Sequence, residues 1–211
     1  MITASDVASA LGENHYETPA AFIKKKVLKT VWAGNAATEH GTKLEPLVRD
    51  LYDQKTGRKT HEIGIVRHRD HPWLGGSPDG ITEDGLLIEI KCPLTRKIEP
   101  KVPKHYLPQV QLLLEVTDLE ECDFVQYRPG KEEGSPAEFV VVRVKRDRTW
   151  FETNLPLMKA AWDRIVAGRT QGLCEIQDDL EPFDFQFKNE IVCLLEKDGC
   201  VCPPPQNPDV S

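Results

Sequence analysis

Polar and apolar residues alternate along this chain with two different periods. Leu44, Leu47, Val48 and Leu51 recur at the three-and-four spacing of one helical face and stop at Gly57, which suits a helix C-terminus. Ser5 or Thr3 is placed to cap a first helix through Leu11, ended by Gly12, and Pro19 opens a second over about 19–30. Leu107, Val110, Leu113 and Leu114 predict a further helix, and a last one covers about 149–167. Strand-like segments fall near 61–68, 73–81, 86–92, 122–128 and 138–145, with the Leu107 helix between the third and fourth. The expected class is α/β (α+β), a central mixed sheet of about five strands flanked by helices.

The third strand carries an anomaly. In Leu-Leu-Ile-Glu-Ile-Lys, residues 86–91, the period of two puts Leu87, Glu89 and Lys91 on one face and Leu86, Ile88 and Ile90 on the other. Glu83-Asp84-Gly85 reads as a turn. As a three-residue loop it pairs Thr82 with Leu86 and, counting back, sets Asp79 opposite Glu89. A two-residue Asp84-Gly85 turn would instead throw the two carboxylates onto opposite faces. In the first register their β-carbons stand roughly 4.5–5.5 Å apart. Carboxylates that close repel, and a hard divalent cation, Mg2+ or Mn2+, is the natural occupant between them. An ammonium at Lys91 can then orient an attacking water or stabilise charge on phosphoryl oxygens. A glutamate and a lysine on the wet face of an exposed hairpin are the plainer reading of E-x-K alone. Asp79 in register, with apolar neighbours, favours the catalytic one.

Composition modifies this picture only in part. The chain has 211 residues, 39% hydrophobic and 29% charged, ordinary for one large globular domain. No run approaches the roughly 18 apolar residues of a membrane span. Met1 to Gly12 lacks a basic stretch followed by an apolar one, so an intracellular rather than secreted chain is expected. The six cysteines show no C-x-x-C spacing, which fits reduced thiols better than a zinc site. The net charge of −7 argues against a nucleic-acid partner until it is located: residues 175–211 hold nine acids and two bases, leaving 25 of each sign in residues 1–174. Division into a catalytic domain at 1–174 and an acidic, proline-containing extension at 175–211 follows. Within the neutral body, bases cluster at Lys24 to Lys29, at Lys91 to Lys104 and at Arg143 to Arg148. Such stripes can track a phosphate backbone or be ordinary solvated faces.

Ser-Pro-Asp-Gly at 77–80 followed by Glu-Ile-Lys-Cys-Pro at 89–93 resembles the core of the PD-(D/E)XK nucleases, which share a restriction-endonuclease-like fold. In detail it is similar to the lambda exonuclease and YqaJ-type viral recombinase exonucleases. ITASDV at 2–7, HGTKLEPLV at 40–48 and HYLPQVQ at 105–111 agree in the family's order, so the resemblance covers about residues 2–167. It implies that Asp79, Glu89 and the backbone carbonyl of Ile90 bind metal, and that Lys91 is the catalytic lysine. By the same resemblance Glu45 helps hold a second ion or its water, Gln109 lies near the scissile phosphate with Tyr106 beside it, and Ser5 and Ser77 bind a 5′-terminal phosphate. Read without the family, Glu45 closes a capping box from Thr42 or pairs with Arg49, and Gln109 and Tyr106 are a surface amide and a packing ring.

The activity so implied is a Mg2+-dependent exodeoxyribonuclease, with two ions per site, that degrades linear double-stranded DNA from 5′ ends and leaves 3′ single strands for recombination. The resemblance also implies a homotrimer and a single-strand annealing recombinase as partner. The family's arginine ahead of the I-T-A-S motif is absent here. Either the chain begins late or a base from Lys24 to Lys29 takes its place. That departure keeps an end-independent or structure-specific endonuclease open, beside a non-catalytic DNA-binding module on the same fold.

Overall fold

Two sheets, joined by the short segments 62–65 and 77–79, form the frame. The computed structural model describes residues 1–30, 34, 36–130 and 136–171. The five-stranded sheet is mixed, in the order β2 (Thr60–His61), β5 (Gly80–Thr82), β6 (Leu87–Lys91), β7 (Glu121–Arg128) and β8 (Glu138–Lys145), with only β6 and β7 parallel. A small second sheet orders β1 (Ile2–Thr3), β4 (Leu74–Gly76) and β3 (Val66–Arg67). The expected single strands at 61–68 and 73–81 are therefore each divided, one part going to each sheet. Gly76 permits the division. A β-carbon there would stand 2.6 Å from Leu113 and 2.9 Å from Ala4, so only a glycine lets β4 pass between the N-terminal segment and the helix behind it.

The helices follow local signals. Residues Ala4–Asp6 make a 3₁₀ turn that leads into α1 (Val7–Ala10); Thr3, not Ser5, stands at the cap, in a capping box with Asp6. In α2 (Pro19–Leu28), Thr18 Oγ1 accepts from the Ala21 N–H at 3.2 Å, and the helix stops where Lys29 turns left-handed. Helix α3 (Ala36–Thr56) begins well before the expected start, so Thr42 lies inside it and caps nothing. Pro46 inside the helix lacks the donor for the Thr42 carbonyl; both residues are exposed, and water can serve that oxygen. Helix α4 (Leu107–Thr117) crosses between β6 and β7, and α5 (Arg148–Gln171) outruns its expected length at both ends. Gln111 joins them: its amide donates to Lys145 O at 2.9 Å and its oxygen accepts from Asp147 N at 2.8 Å.

Each face of the large sheet is buried. Leu87, Cys122 and Phe124 pack with Val110, Leu113 and Leu114 of α4 and with Phe22, Phe151 and Met158. Leu86, Ile88, Ile90, Val125 and Tyr127 pack on Val48 and Tyr52 of α3. Each fully buried side chain of this size contributes about 1.5–3 kcal/mol. β6 is thus covered on both faces, and Glu89 within it is enclosed. Among the described residues no helix is long and apolar enough to cross a membrane. Both described cysteines, Cys92 and Cys122, are buried thiols. The extension at 175–211 lies outside the described residues.

Candidate active site at the head of the β5–β6 hairpin

The hairpin adopts the three-residue turn. Thr82 N donates to Leu86 O at 2.9 Å, Gly85 N donates to Thr82 O at 2.9 Å, and Gly85 takes φ +83°, a left-handed value that suits glycine. Gly80 pairs with Ile88 and Ile81 with Leu87, so the same register continues to Asp79 opposite Glu89. The Asp79 side chain closes the ladder itself, its Oδ2 accepting from Ile90 N at 2.6 Å.

Glu89 is 1% exposed, between α4 and the sheet. Its Oε1 accepts from Gln109 Nε2 at 2.6 Å and from Lys91 Nζ. Its Oε2 is buried without a hydrogen-bond partner. An ionised oxygen in that condition is costly. Burial, and to a smaller degree the Asp79 charge, accordingly push the Glu89 carboxyl up to about 7 despite Lys91. Burial also raises Asp79, against the pull of Lys91 and the Ile90 N–H. Desolvation alone would lower Lys91, but Glu89 and Asp79 outweigh it and hold the ammonium above its ordinary value. The Lys91 ammonium lies 5.2 Å from the centroid of the Tyr106 ring, a cation–π contact.

Glu45 reaches this group from α3, and the pairing with Arg49 is present too. Arg49 Nη2 donates to Glu45 Oε1 at 2.8 Å, Nε to the Asp79 carbonyl at 2.9 Å and Nη1 to Glu62 at 3.2 Å. Burial and the nearby Asp79 raise the Glu45 carboxyl, with Arg49 opposing. One guanidinium thus ties the helical glutamate to the backbone of Asp79. Sequence reasoning noticed Arg49 only as an i+4 partner; its reach to residue 79 depends on α3 packing beside β5. Gln126 was missed altogether. It sits beside Lys91 in the β6–β7 register, accepts from Arg96 at 2.9 Å and donates to Glu99 O at 2.8 Å, pinning the connection that leaves β6. Its signal was an amide between the apolar Val125 and Tyr127.

Ser5 and Ser77 each follow a strand of the small sheet. Ile2 pairs with Leu74 and Thr3 with Gly75, so both serines lie just beyond the parallel β1–β4 pair. Both are exposed; Ser5 Oγ stands 3.2 Å from Thr3 Oγ1, and Ser77 Oγ donates to Ile63 O at 3.2 Å. Lys26 Nζ lies 2.5 Å from Asp6, next to Ser5, which brings the Lys24–Lys29 cluster to that spot. The three arginines of the Arg143–Arg148 cluster, by contrast, are paired internally. Arg143 pairs with Glu121 and Asp123, Arg146 with Glu115 and Asp118, and Arg148 with Glu120.

Among the described residues no three acidic, histidine or cysteine side chains stand clustered as a ready metal cage. Carboxylates and cations interleave instead, with Lys91 and Arg49 balancing Glu89, Asp79 and Glu45. The partnerless Glu89 Oε2 and the raised carboxyls of its neighbours are what an extra cation would relieve, and hard oxygen donors suit Mg2+ or Mn2+ over softer metals.

Comparison with known proteins bears on the fold and the family. The alkaline exonuclease LHK-Exo of Laribacter hongkongensis, also solved in complex with dAMP, superposes with a TM-score of 0.67 at 31% identity, over 80% of this chain and 89% of that one. An uncharacterized protein of Acanthamoeba polyphaga mimivirus is 29% identical over 144 residues, 59% of this chain and 26% of its own. A protein of African swine fever virus is 31% identical over 139 residues, 51% of this chain and 40% of its own. The chain thus spans less than half the length of these two viral relatives. The model of the YqaJ-like viral recombinase domain matches residues 1–120. With more than half its length matched, and with the hairpin and helices in the places described, this chain belongs to the YqaJ-like viral recombinase domain family.

Proposed function

We propose that this chain is a Mg2+-dependent exodeoxyribonuclease that hydrolyses linear double-stranded DNA from 5′ ends and leaves 3′ single strands for recombination. The observation that carries the reading is Glu89: a buried carboxylate opposite Asp79, with one oxygen bonded to Lys91 and Gln109 and the other without a partner. Asp79, Glu89 and Glu45 would hold the cation. The Ile90 carbonyl would join them, since N–H and C=O of one strand residue leave on the same edge and the Ile90 N–H is directed to Asp79. When bound, Mg2+ or Mn2+, two ions per site, supplies Lewis-acid polarisation of the phosphodiester and lowers the pKa of water. Lys91, held cationic by its carboxylates, supplies positive charge where phosphoryl oxygens gain negative charge. Gln109 holds the Glu89 carboxylate in one orientation through its amide, and Arg49 does the same for Glu45.

Ser5 and Ser77, with Lys26 held beside Ser5 through Asp6, are our choice for the 5′-terminal phosphate; their positions just beyond the paired β1 and β4 support it. The LHK-Exo complex with dAMP supports a nucleotide ligand. A homotrimer, an annealing recombinase partner and an intracellular setting belong to the same reading by family likeness.

Linear and closed circular duplex incubated with the protein and Mg2+, with and without chelator, test it. Loss of the linear DNA alone, abolished by chelator and by Asp79→Ala with the fold intact by circular dichroism, is the expected result. Nicking of the circle would mean an endonuclease. Binding without cleavage would mean a DNA-binding module. An active Asp79→Ala variant would overturn the site.

A further inference from the structure

Tyr16 is 83% exposed, the most exposed large apolar side chain among the described residues, yet its backbone is firmly held. Tyr16 N donates to Asn14 Oδ1 at 3.0 Å, Asn14 Nδ2 to Ser9 Oγ at 2.8 Å, and Asn14 N to Ala8 O at 3.0 Å. Lys25 fastens the following residue, Glu17, at 2.5 Å. A loop built this carefully presents its ring to solvent for a reason other than packing.

The ring does not stand alone. Tyr16 and His15 have centroids 3.7 Å apart; His15 meets His105 edge-on at 5.6 Å; His105 lies 4.1 Å from Tyr106; and Tyr106 carries the Lys91 ammonium at 5.2 Å. Four rings therefore run from open solvent to the lysine of the candidate active site. Tyr106 is anchored from beneath by Phe124, centroids 5.7 Å apart. Burial lowers His105, with smaller contributions from His15, Arg96 and Lys91.

We infer that His15, Tyr16, His105 and Tyr106 form a stacking track for unpaired nucleobases of the strand being hydrolysed. This rests on the proposed DNA hydrolysis. A base in a duplex is already stacked and paired, so rings can receive it only once it has left its partner. Every base has a π-face, so the track would bind single strands without reading sequence. It runs to the Lys91 ammonium without a gap, and Lys91 and Arg96 at its inner end can meet the phosphates of the strand. These two features select a nucleic-acid strand over an aromatic segment of a protein partner.

Binding of a single-stranded oligonucleotide and of a blunt duplex is to be measured by fluorescence anisotropy in chelator, where no hydrolysis occurs. A fluorescent base analogue that dims on stacking is placed at the unpaired end. Tyr16→Ala should weaken single-strand binding about tenfold, the size of one lost base–ring stack. It should also restore the analogue's emission, while Tyr16→Trp retains both and duplex affinity moves less than twofold. Its exposure makes misfolding an unneeded explanation. Equal losses on both DNAs, or unchanged single-strand affinity, would overturn the track while leaving the nuclease reading intact. Wild-type protein that binds neither DNA would remove both.

Discussion

Glu89→Gln isolates what one charge costs at the heart of the hairpin. The amide keeps the shape of the carboxyl and leaves an oxygen to accept from Lys91 and Gln109, so the change falls on Oε2, the oxygen without a partner. Burial raises this carboxyl from an ordinary 4.5 to about 7. The folded value lies above the unfolded one, so the folded chain holds the proton more tightly. The associated stability is present below pH 4.5 and is lost as pH rises through about 7. That interval corresponds to about 3 kcal/mol. A buried glutamine N–H without an acceptor costs about 1–3 kcal/mol, similar in size, but it costs the same at every pH. The pH slope therefore separates the two effects where a single measurement cannot. Urea denaturation in chelator should show the wild type losing about 3 kcal/mol more than Glu89→Gln between pH 5 and pH 8.5. Mg2+ at a hundred times its Kd should add about 2.7 kcal/mol to the wild type at pH 8.5 and far less to the variant. Parallel pH profiles, or equal stabilisation by Mg2+, would refute the claim that Glu89 is a strained carboxylate waiting for a cation.

Two further substitutions address how the site is held. Arg49→Met leaves the Asp79 carbonyl and Glu45 without their donor and should cost about 2–3 kcal/mol in denaturant, with kcat falling at least tenfold. Arg49→Lys cannot make the fork and should not rescue it; a variant with normal kcat would show that Arg49 is only structural. Gly85→Val puts a β-branched residue at φ +83° and should cost about 1–2 kcal/mol with most of the nuclease activity, whereas Gly85→Asn keeps both. Equal activity in the two variants would detach the turn from the register of Asp79 and Glu89.

The hairpin was legible because its determinants are local: a glycine where φ must be positive, and alternation that leaves one parity for Glu89. Gln109 and Glu45 were legible only through the family motif, since a glutamine on a helix and a Glu four residues before an Arg are ordinary sights. The division of 61–68 and 73–81 between two sheets was not legible. Which strand a segment joins depends on what approaches Gly76 and Gly80, and those neighbours, Ala4, Leu113 and Thr60, come from distant parts of the chain. The basic run at 143–148 misled for the same reason. Its acidic partners, Glu115 to Asp123, lie some twenty to thirty residues away and meet it only after β7 pairs with β8.

The crossing from β4 to β5 has a metrical consequence. Ser77 and Asp79 stand two residues apart on a chain stretched between two sheets, each end fixed by its own ladder. Their α-carbons can be separated by no more than about 7 Å. If one holds the end of a strand and the other the bond to be cut, the gap between end and cut is set by covalent geometry and not by a movable loop. Such a span is a ruler of fixed length, and a nuclease that measures with it would remove the same small unit at every step, whatever the sequence.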